Sequence, residues 1–154
     1  MTVAAIGIGA NLGDAEAAVR RAFDRLGELG TVRARSPLYR TAPWGVVDQP
    51  PFVNAVALLE TALDPAALLR ALKRIEGEEG RRPGERWGPR ALDLDLLTYG
   101  DETLATPELV VPHPRLRERA FVLVPLADVD PRWSAARDAL PPGERAGVVE
   151  LARR

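Results

Sequence analysis

A chain of 154 residues with 21 basic and 22 acidic side chains is sized for one domain, which buries roughly 70% of its unfolded surface, and it has no global field to attract nucleic acid. It has no cysteine and a single histidine, which excludes thiol catalysis, disulfides and the usual Cys/His zinc centre. No basic-then-apolar leader opens the chain and no apolar run approaches ~20 residues, so a cytoplasmic protein with no membrane partner is expected. One domain is expected over residues 1–154, as a free monomer that begins at Met1. All but one of the basic residues are arginine, a bias compatible with a GC-rich genome. The only side-chain amides are Asn11, Gln49 and Asn54, so each is a candidate for work that no other residue type can do.

Residues 3–10 read as an apolar first strand ending in Gly9-Ala10-Asn11. Gly13-Asp14 then opens a helix whose Val19, Ala22, Phe23, Leu26 and Leu29 recur at three- and four-residue steps, with Gly30 as its stop. A second strand is predicted over 31–41 and a third over 51–61. Asp64 caps a second helix with Pro65 at its first position; Leu68, Leu69, Leu72 and Ile75 form its apolar stripe, and Glu76 falls at the stripe's edge. A strand containing Asp93 and Asp95 follows, then a hairpin through Tyr99-Gly100-Asp101 and short, proline-broken helices from 114 to 130. The order strand, helix, strand, strand, helix, strand predicts an α+β fold, a ferredoxin-like α/β sandwich with a mainly antiparallel sheet. Segments 41–51 and 80–90 are rich in glycine and proline and lack periodicity, as binding loops on a rigid sheet do.

Alternation places Asp93 and Asp95 on one strand face and Leu92, Leu94 and Leu96 on the other. Two carboxylates about 6–7 Å apart on a largely buried strand repel and need a cation to justify them, and Mg²⁺ favours such oxygens while retaining waters and substrate phosphates. Arg81, Arg82, Arg86 and Arg90 precede that strand and offer planar forks for phosphate oxygens. Metal carboxylates beside phosphate-binding arginines imply nucleotide-dependent phosphoryl-type transfer. The plain alternative is a solvated strand and a basic loop; the leucine face and the arginine cluster favour the metal.

Gly7-Ile8-Gly9-Ala10-Asn11-Leu12-Gly13 joins a strand to a helix, but its third glycine is one residue too late for a dinucleotide-binding turn. The segment reads as a structural turn, with Asn11 bonding nearby backbone. Phe52 and Asn54 share a strand face, which sets an aromatic plane beside an amide that both donates and accepts. A flat heterocycle could stack there and be read at its edge, with Phe121, near Arg119, closing the other side. The alternative is a core phenylalanine beside a capping asparagine. His113, between Pro112 and Pro114, is either a structural ring or a phosphate donor in a stiff loop.

From residue 2 to about 130 the chain resembles the 6-hydroxymethyl-7,8-dihydropterin pyrophosphokinase family. The most specific stretch is Glu85-Arg86-Trp87-Gly88-Pro89-Arg90-Ala91-Leu92-Asp93-Leu94-Asp95. It is supported by the Ile8–Gly13 turn, Tyr39-Arg40-Thr41, Asp48-Gln49-Pro50 through Asn54, Arg74-Ile75-Glu76, and Val111-Pro112-His113 through Phe121. The resemblance implies transfer of diphosphate from ATP to a pterin alcohol in folate biosynthesis, with release of AMP. Its partners would be ATP and 6-hydroxymethyl-7,8-dihydropterin rather than nucleic acid.

It also implies roles. Asp93 and Asp95 would hold two Mg²⁺ ions. Arg81 and Arg90 would contact phosphates, with Trp87 on a segment that closes over the site. His113 and Arg119 would bind the triphosphate, and Glu76 would lie at the nucleotide site. Phe52 and Phe121 would sandwich the pterin, Asn54 would bond its edge, and backbone groups from Thr41 through Pro43 to Trp44 would complete the pocket. Three positions depart from the family pattern: Pro83 and Glu108, where basic residues are common, and Lys73, where an amide is common. A nucleic-acid-binding module would want more than 5% aromatic residues. A metal-dependent nuclease or phosphatase would use the aspartates but leave Phe52, Asn54 and Phe121 without a task.

Overall fold

The computed structural model describes residues 1–41, 50–80 and 92–151. Strand β1 (Thr2–Ala10) leads into helix α1 (Ala15–Leu26), where Asp14 accepts the Ala17 N–H at its start. Strands β2 (Thr31–Arg35), β3 (Tyr39–Thr41) and β4 (Phe52–Thr61) precede helix α2 (Pro65–Glu78), which Asp64 caps through the Ala67 N–H at 2.8 Å. Next come β5 (Asp93–Tyr99), the short pair β6 (Leu104–Ala105) and β7 (Val110–Val111), and α3 (Ala120–Val129). Short helices α4 (Ser134–Asp138) and α5 (Pro142–Ala146) and strand β8 (Val148–Glu150) complete the described chain.

Among the described residues all strand pairings are antiparallel, in the order β5-β1-β4-β3-β8, with β2 also pairing β4. The first βαββαβ unit, with its last strand beside its first, is the ferredoxin-like α+β sandwich expected from the element order. The even residues of β1 (Ala4, Ile6, Ile8, Ala10), Leu92 just before β5, and Leu94 and Leu96 of β5 join Val19, Phe23, Leu68, Leu72 and Ile75 in one core beneath α1 and α2. On the opposite face, Ala5, Val56 and Leu97 pack with Leu116, Leu123 and Leu126, which lie on or next to α3. No helix among the described residues is long and apolar enough to cross a membrane.

Several boundaries differ from the sequence expectation. Helix α1 stops at Leu26, capped by Gly27, and Leu29 packs on the core from the following turn. The strand predicted over 31–41 is interrupted at Ser36-Pro37, because proline offers no N–H to a ladder. Ser36 stitches the gap to β4: its N–H donates to the Val56 carbonyl and its Oγ accepts the Val56 N–H, both at 2.8 Å. The turn at Gly100, at φ 55°, does not return the chain to β5; β6 pairs with β7 instead. Residues beyond 131 do more than cover the core, since β8 extends the main sheet along β3.

Candidate active site

Asp93, Gly9, Asn54 and Tyr39 lie in one row of paired residues across four strands, and Asp95, Gly7 and Val56 form the next. Pairing partners share a sheet face, so Asp93, Asp95, Phe52 and Asn54 project on the α3 side, as Ala5, Val56 and Leu97 do. Helix α3 buries Ala5, Val56 and Leu97, whereas Gly7, Gly9, Asp93, Asp95 and Phe52 are only partly buried. The result is a sheet floor with carboxylates at one side, an amide and an aromatic ring at the other, and backbone alone between them. Alternation within each strand predicted these faces; the strand order that unites them is a property of the fold.

The Asn54 amide is fixed. It is 7% exposed, and its Nδ2 donates to Thr41 Oγ1 at 2.8 Å, which turns Oδ1 toward Gly9. The sequence reading assigned backbone groups to the Thr41 region and missed this use of its hydroxyl. Tyr39, two residues earlier, donates its hydroxyl to Asp128 of α3 and so ties β3 to the helix that carries Phe121. The Arg119 guanidinium lies 5.7 Å from the centre of the Phe121 ring, within cation–π range. Asn11 donates from Nδ2 to the Pro50 carbonyl at 3.4 Å. The partner is backbone, as expected, but distant in sequence, and the bond joins the end of β1 to the entry of β4.

His113 follows a cis Val111–Pro112 peptide, and its N–H donates to the Leu97 carbonyl of β5 at 2.8 Å. Its Nδ1 accepts the Arg115 N–H at 3.2 Å, which leaves the proton of the neutral ring on Nε2 as a donor. Burial, with Arg119 and Arg115 nearby, holds its pKa below the ordinary imidazole range. His113 and Arg119 therefore present a neutral donor and a permanent cation.

Glu76 is not at the edge of its stripe. It is 0% exposed, beneath β5, and its Oε1 accepts the Leu94 N–H at 2.7 Å, between the two aspartates. Lys73 Nζ donates to the same oxygen at 3.3 Å, which gives that departure from the family pattern a local purpose. Glu108, another departure, is exposed between β6 and β7. Burial raises the Glu76 pKa, with the Leu94 N–H and Lys73 opposing and Asp93 reinforcing the rise. A carboxyl whose folded pKa is raised contributes stability below its unfolded pKa and loses it as pH rises through the folded value. Glu76→Gln keeps the acceptor for Leu94 and removes the buried charge. The variant should melt higher than the parent at pH 7, and the gap should narrow toward pH ~4.5. Thermal melts across that range check the sign; a lower melting temperature at pH 7 would show that the ionised carboxylate is the stabilising form.

Arg81, Trp87, Arg90, Pro43 and Trp44, with Arg82, Arg86, Pro83 and Gln49, lie outside the described residues. At the end of α2, Arg25 of α1 pairs with Glu78 and with Glu79, the latter at 3.0 Å. Among the described residues no group of three or more His, Cys, Asp or Glu side chains is assembled for a metal. The Asp93–Asp95 pair nonetheless fits Mg²⁺, which is commonly held by one or two carboxylates together with water and substrate phosphates.

A model of the 7,8-dihydro-6-hydroxymethylpterin-pyrophosphokinase (HPPK) family matches residues 5–131. The 2-amino-4-hydroxy-6-hydroxymethyldihydropteridine pyrophosphokinase of Pseudomonas aeruginosa is 48% identical over 82% of this chain and 79% of its own length. The protein of the same name from Methylorubrum extorquens is 45% identical over 98% of this chain and 99% of its own. A solved HPPK-DHPS structure in complex with substrates superposes with a TM-score of 0.71 at 14% identity, covering 90% of this chain and 43% of that one. At that identity the superposition speaks for the fold alone. Sequence match, sheet order and the convergence of Asp93, Asp95, Asn54 and Phe52 on one face agree, and the chain belongs to the 7,8-dihydro-6-hydroxymethylpterin-pyrophosphokinase family.

Proposed function

We propose that this chain transfers diphosphate from ATP to the hydroxymethyl group of 6-hydroxymethyl-7,8-dihydropterin, releasing AMP, and does so on the glycine-floored face between Asp93 and Asn54. The observation that carries the proposal is the paired row Asp93–Gly9–Asn54. Strands are ~4.8 Å apart, so the row sets carboxylate and amide on Cα atoms roughly 10 Å from one another. That separation suits a bicyclic ring whose edge meets Asn54 while its hydroxymethyl arm reaches toward phosphates at the aspartates.

In this reading Phe52 and Phe121 stack the ring from β4 and α3, and Asn54 Oδ1 accepts from a ring N–H because the bond from one Nδ2 hydrogen to Thr41 turns that oxygen toward the floor. Asp93 and Asp95 would hold two Mg²⁺ ions, which supply charge neutralisation for the polyphosphate. The pterin oxygen forms its bond to the β-phosphorus as the bond from that phosphorus to the bridging oxygen breaks in line with it; the bridging oxygen takes the electron pair and leaves on AMP, and the hydroxyl proton passes to solvent. Arg119 and the Nε2 proton of His113 stabilise charge that grows on the phosphate oxygens. No side chain is assigned as a general base. Arg81, Arg90 and Trp87 complete the nucleotide side by resemblance to the family, and Glu76 supports that side from beneath β5.

The test is AMP formation from ATP and Mg²⁺ with and without the pterin. AMP that appears only with the pterin is the expected result. ADP would mean transfer of a single phosphoryl group, and pterin-independent phosphate release would favour a hydrolase.

A further inference from the structure

We propose that Gly9 is a positioning residue for the acceptor: the absence of a side chain there sets the direction of the Asn54 carboxamide and keeps open the floor between Asn54 and Asp93. The inference rests on the functional reading above and deepens it, because it assigns acceptor selection to a residue that has no side chain to touch the substrate.

Backbone conformation does not explain this glycine. The glycines with positive φ among the described residues are Gly13, Gly80 and Gly100, so Gly9 has ordinary strand geometry that alanine could adopt. A glycine inside a strand weakens it and forgoes packing, so its presence calls for another cause. That cause lies across the pairing register. A Cβ built on Gly9 would stand 3.0 Å from Asn54 Oδ1, with the next nearest atom among the described residues, the Val53 carbonyl oxygen, at 4.0 Å. The added methyl would therefore press almost entirely on the amide oxygen.

Asn54 has little freedom to yield, because it is buried and bonded to Thr41 Oγ1 at 2.8 Å. Turning Oδ1 away would misalign the Thr41 bond and withdraw the acceptor from the floor. The other strand glycine on this face behaves differently: a Cβ on Gly7 would meet the flexible Leu97 side chain at 3.4 Å, an ordinary contact. Gly9 is thus the point at which one methyl group would act on the amide assigned to the pterin edge.

Gly9→Ala is expected to raise the KM for the pterin roughly tenfold or more, with the KM for ATP changed less than about twofold. The reference is Asn54→Ala, which removes the amide. In that background Gly9→Ala should add little, since the methyl would have nothing left to displace. Pterin titration in the presence of Mg²⁺ and a non-hydrolysable ATP analogue reads the same effect without turnover. An unchanged pterin KM in Gly9→Ala, or equal losses for both substrates, overturns the assignment. If Gly9→Ala fails to fold but Gly9→Ala/Asn54→Ala folds, the contact is confirmed; failure of both overturns it. Wild-type protein that makes no AMP with the pterin overturns the functional reading instead, so the two failures are distinct.

Discussion

Asp95→Ala should lower pterin-dependent AMP formation by on the order of a thousandfold, because a lost metal carboxylate removes several kcal/mol of charge stabilisation from the transition state. The fold should survive. Asp95 pairs with Gly7 and lies between Leu94 and Leu96, which are buried at 0% and 3% exposure in the core under α1 and α2. The strand is thus held by its other face, and the Asp95 side chain lies on a partly buried floor. Asp95→Asn separates charge from shape, since it retains oxygen and volume but not the negative charge, and it should also be severely impaired. The measurement is AMP release at saturating substrates, with Mn²⁺ binding in the presence of an ATP analogue as a second readout. Near-normal turnover in either variant would remove Asp95 from the metal site.

The largest stability effect is expected at a position remote from the chemistry. Gly30 precedes β2 where the chain crosses the end of β4, and a Cβ there would lie 2.1 Å from the Glu60 carbonyl oxygen and 3.2 Å from the Thr61 Cα. Both are backbone atoms of a central strand. The approach is locked by Thr61 Oγ1, which donates to the Leu29 carbonyl at 2.8 Å, and by the Thr31–Glu60 pairing. Gly30→Ala must force the two strands apart, at an expected loss of about 3 kcal/mol or more. For a chain of this size that lowers the melting temperature by roughly 6–12 °C. Gly77→Ala is the matched opposite: it lies in α2 with nothing within 4 Å of its Cβ position, so helix propensity alone should add up to about 0.5–1 kcal/mol. Parallel thermal melts of the two variants check both signs, and a Gly30→Ala protein as stable as the parent would contradict the close approach.

The contrast between these glycines marks what the sequence can and cannot convey. Helix α2 was legible to the residue at its start, since Asp64 and Pro65 are local signals with local physics. The end of α1 was misread because Gly27 and Gly30 are equally good stops in one dimension; only the close approach to the Glu60 carbonyl shows that Gly30 serves the crossing into β2. Glu76 looked peripheral because helical periodicity counts neighbours on its own helix and cannot see β5 lying over it. The shared strand faces of Asp93 with Asp95 and of Phe52 with Asn54 were readable from alternation. Gly9 and the Thr41 hydroxyl were not, because their significance lies in who sits opposite on another strand. The Gly7–Gly13 segment read as a turn, yet Gly7 and Gly9 lie within β1 and on the face that carries Asp93 and Asn54.

The family match ends at residue 131, but the sheet does not. Strand β8 pairs Val148, Val149 and Glu150 with Thr41, Arg40 and Tyr39, and the Leu151 N–H reaches the Leu38 carbonyl at 2.8 Å. Strand β3, which carries the hydroxyl that steers Asn54, is thereby sheltered along both its edges. Its amide protons should exchange with deuterated solvent only when β8 detaches or the whole sheet opens, instead of by fraying of a short outer strand. The tail should thus set how often Thr41, and with it the Asn54 amide, comes loose. It also leaves β8, three residues long, as the outermost strand at this end of the sheet, and an edge that short offers a neighbouring chain little to pair with.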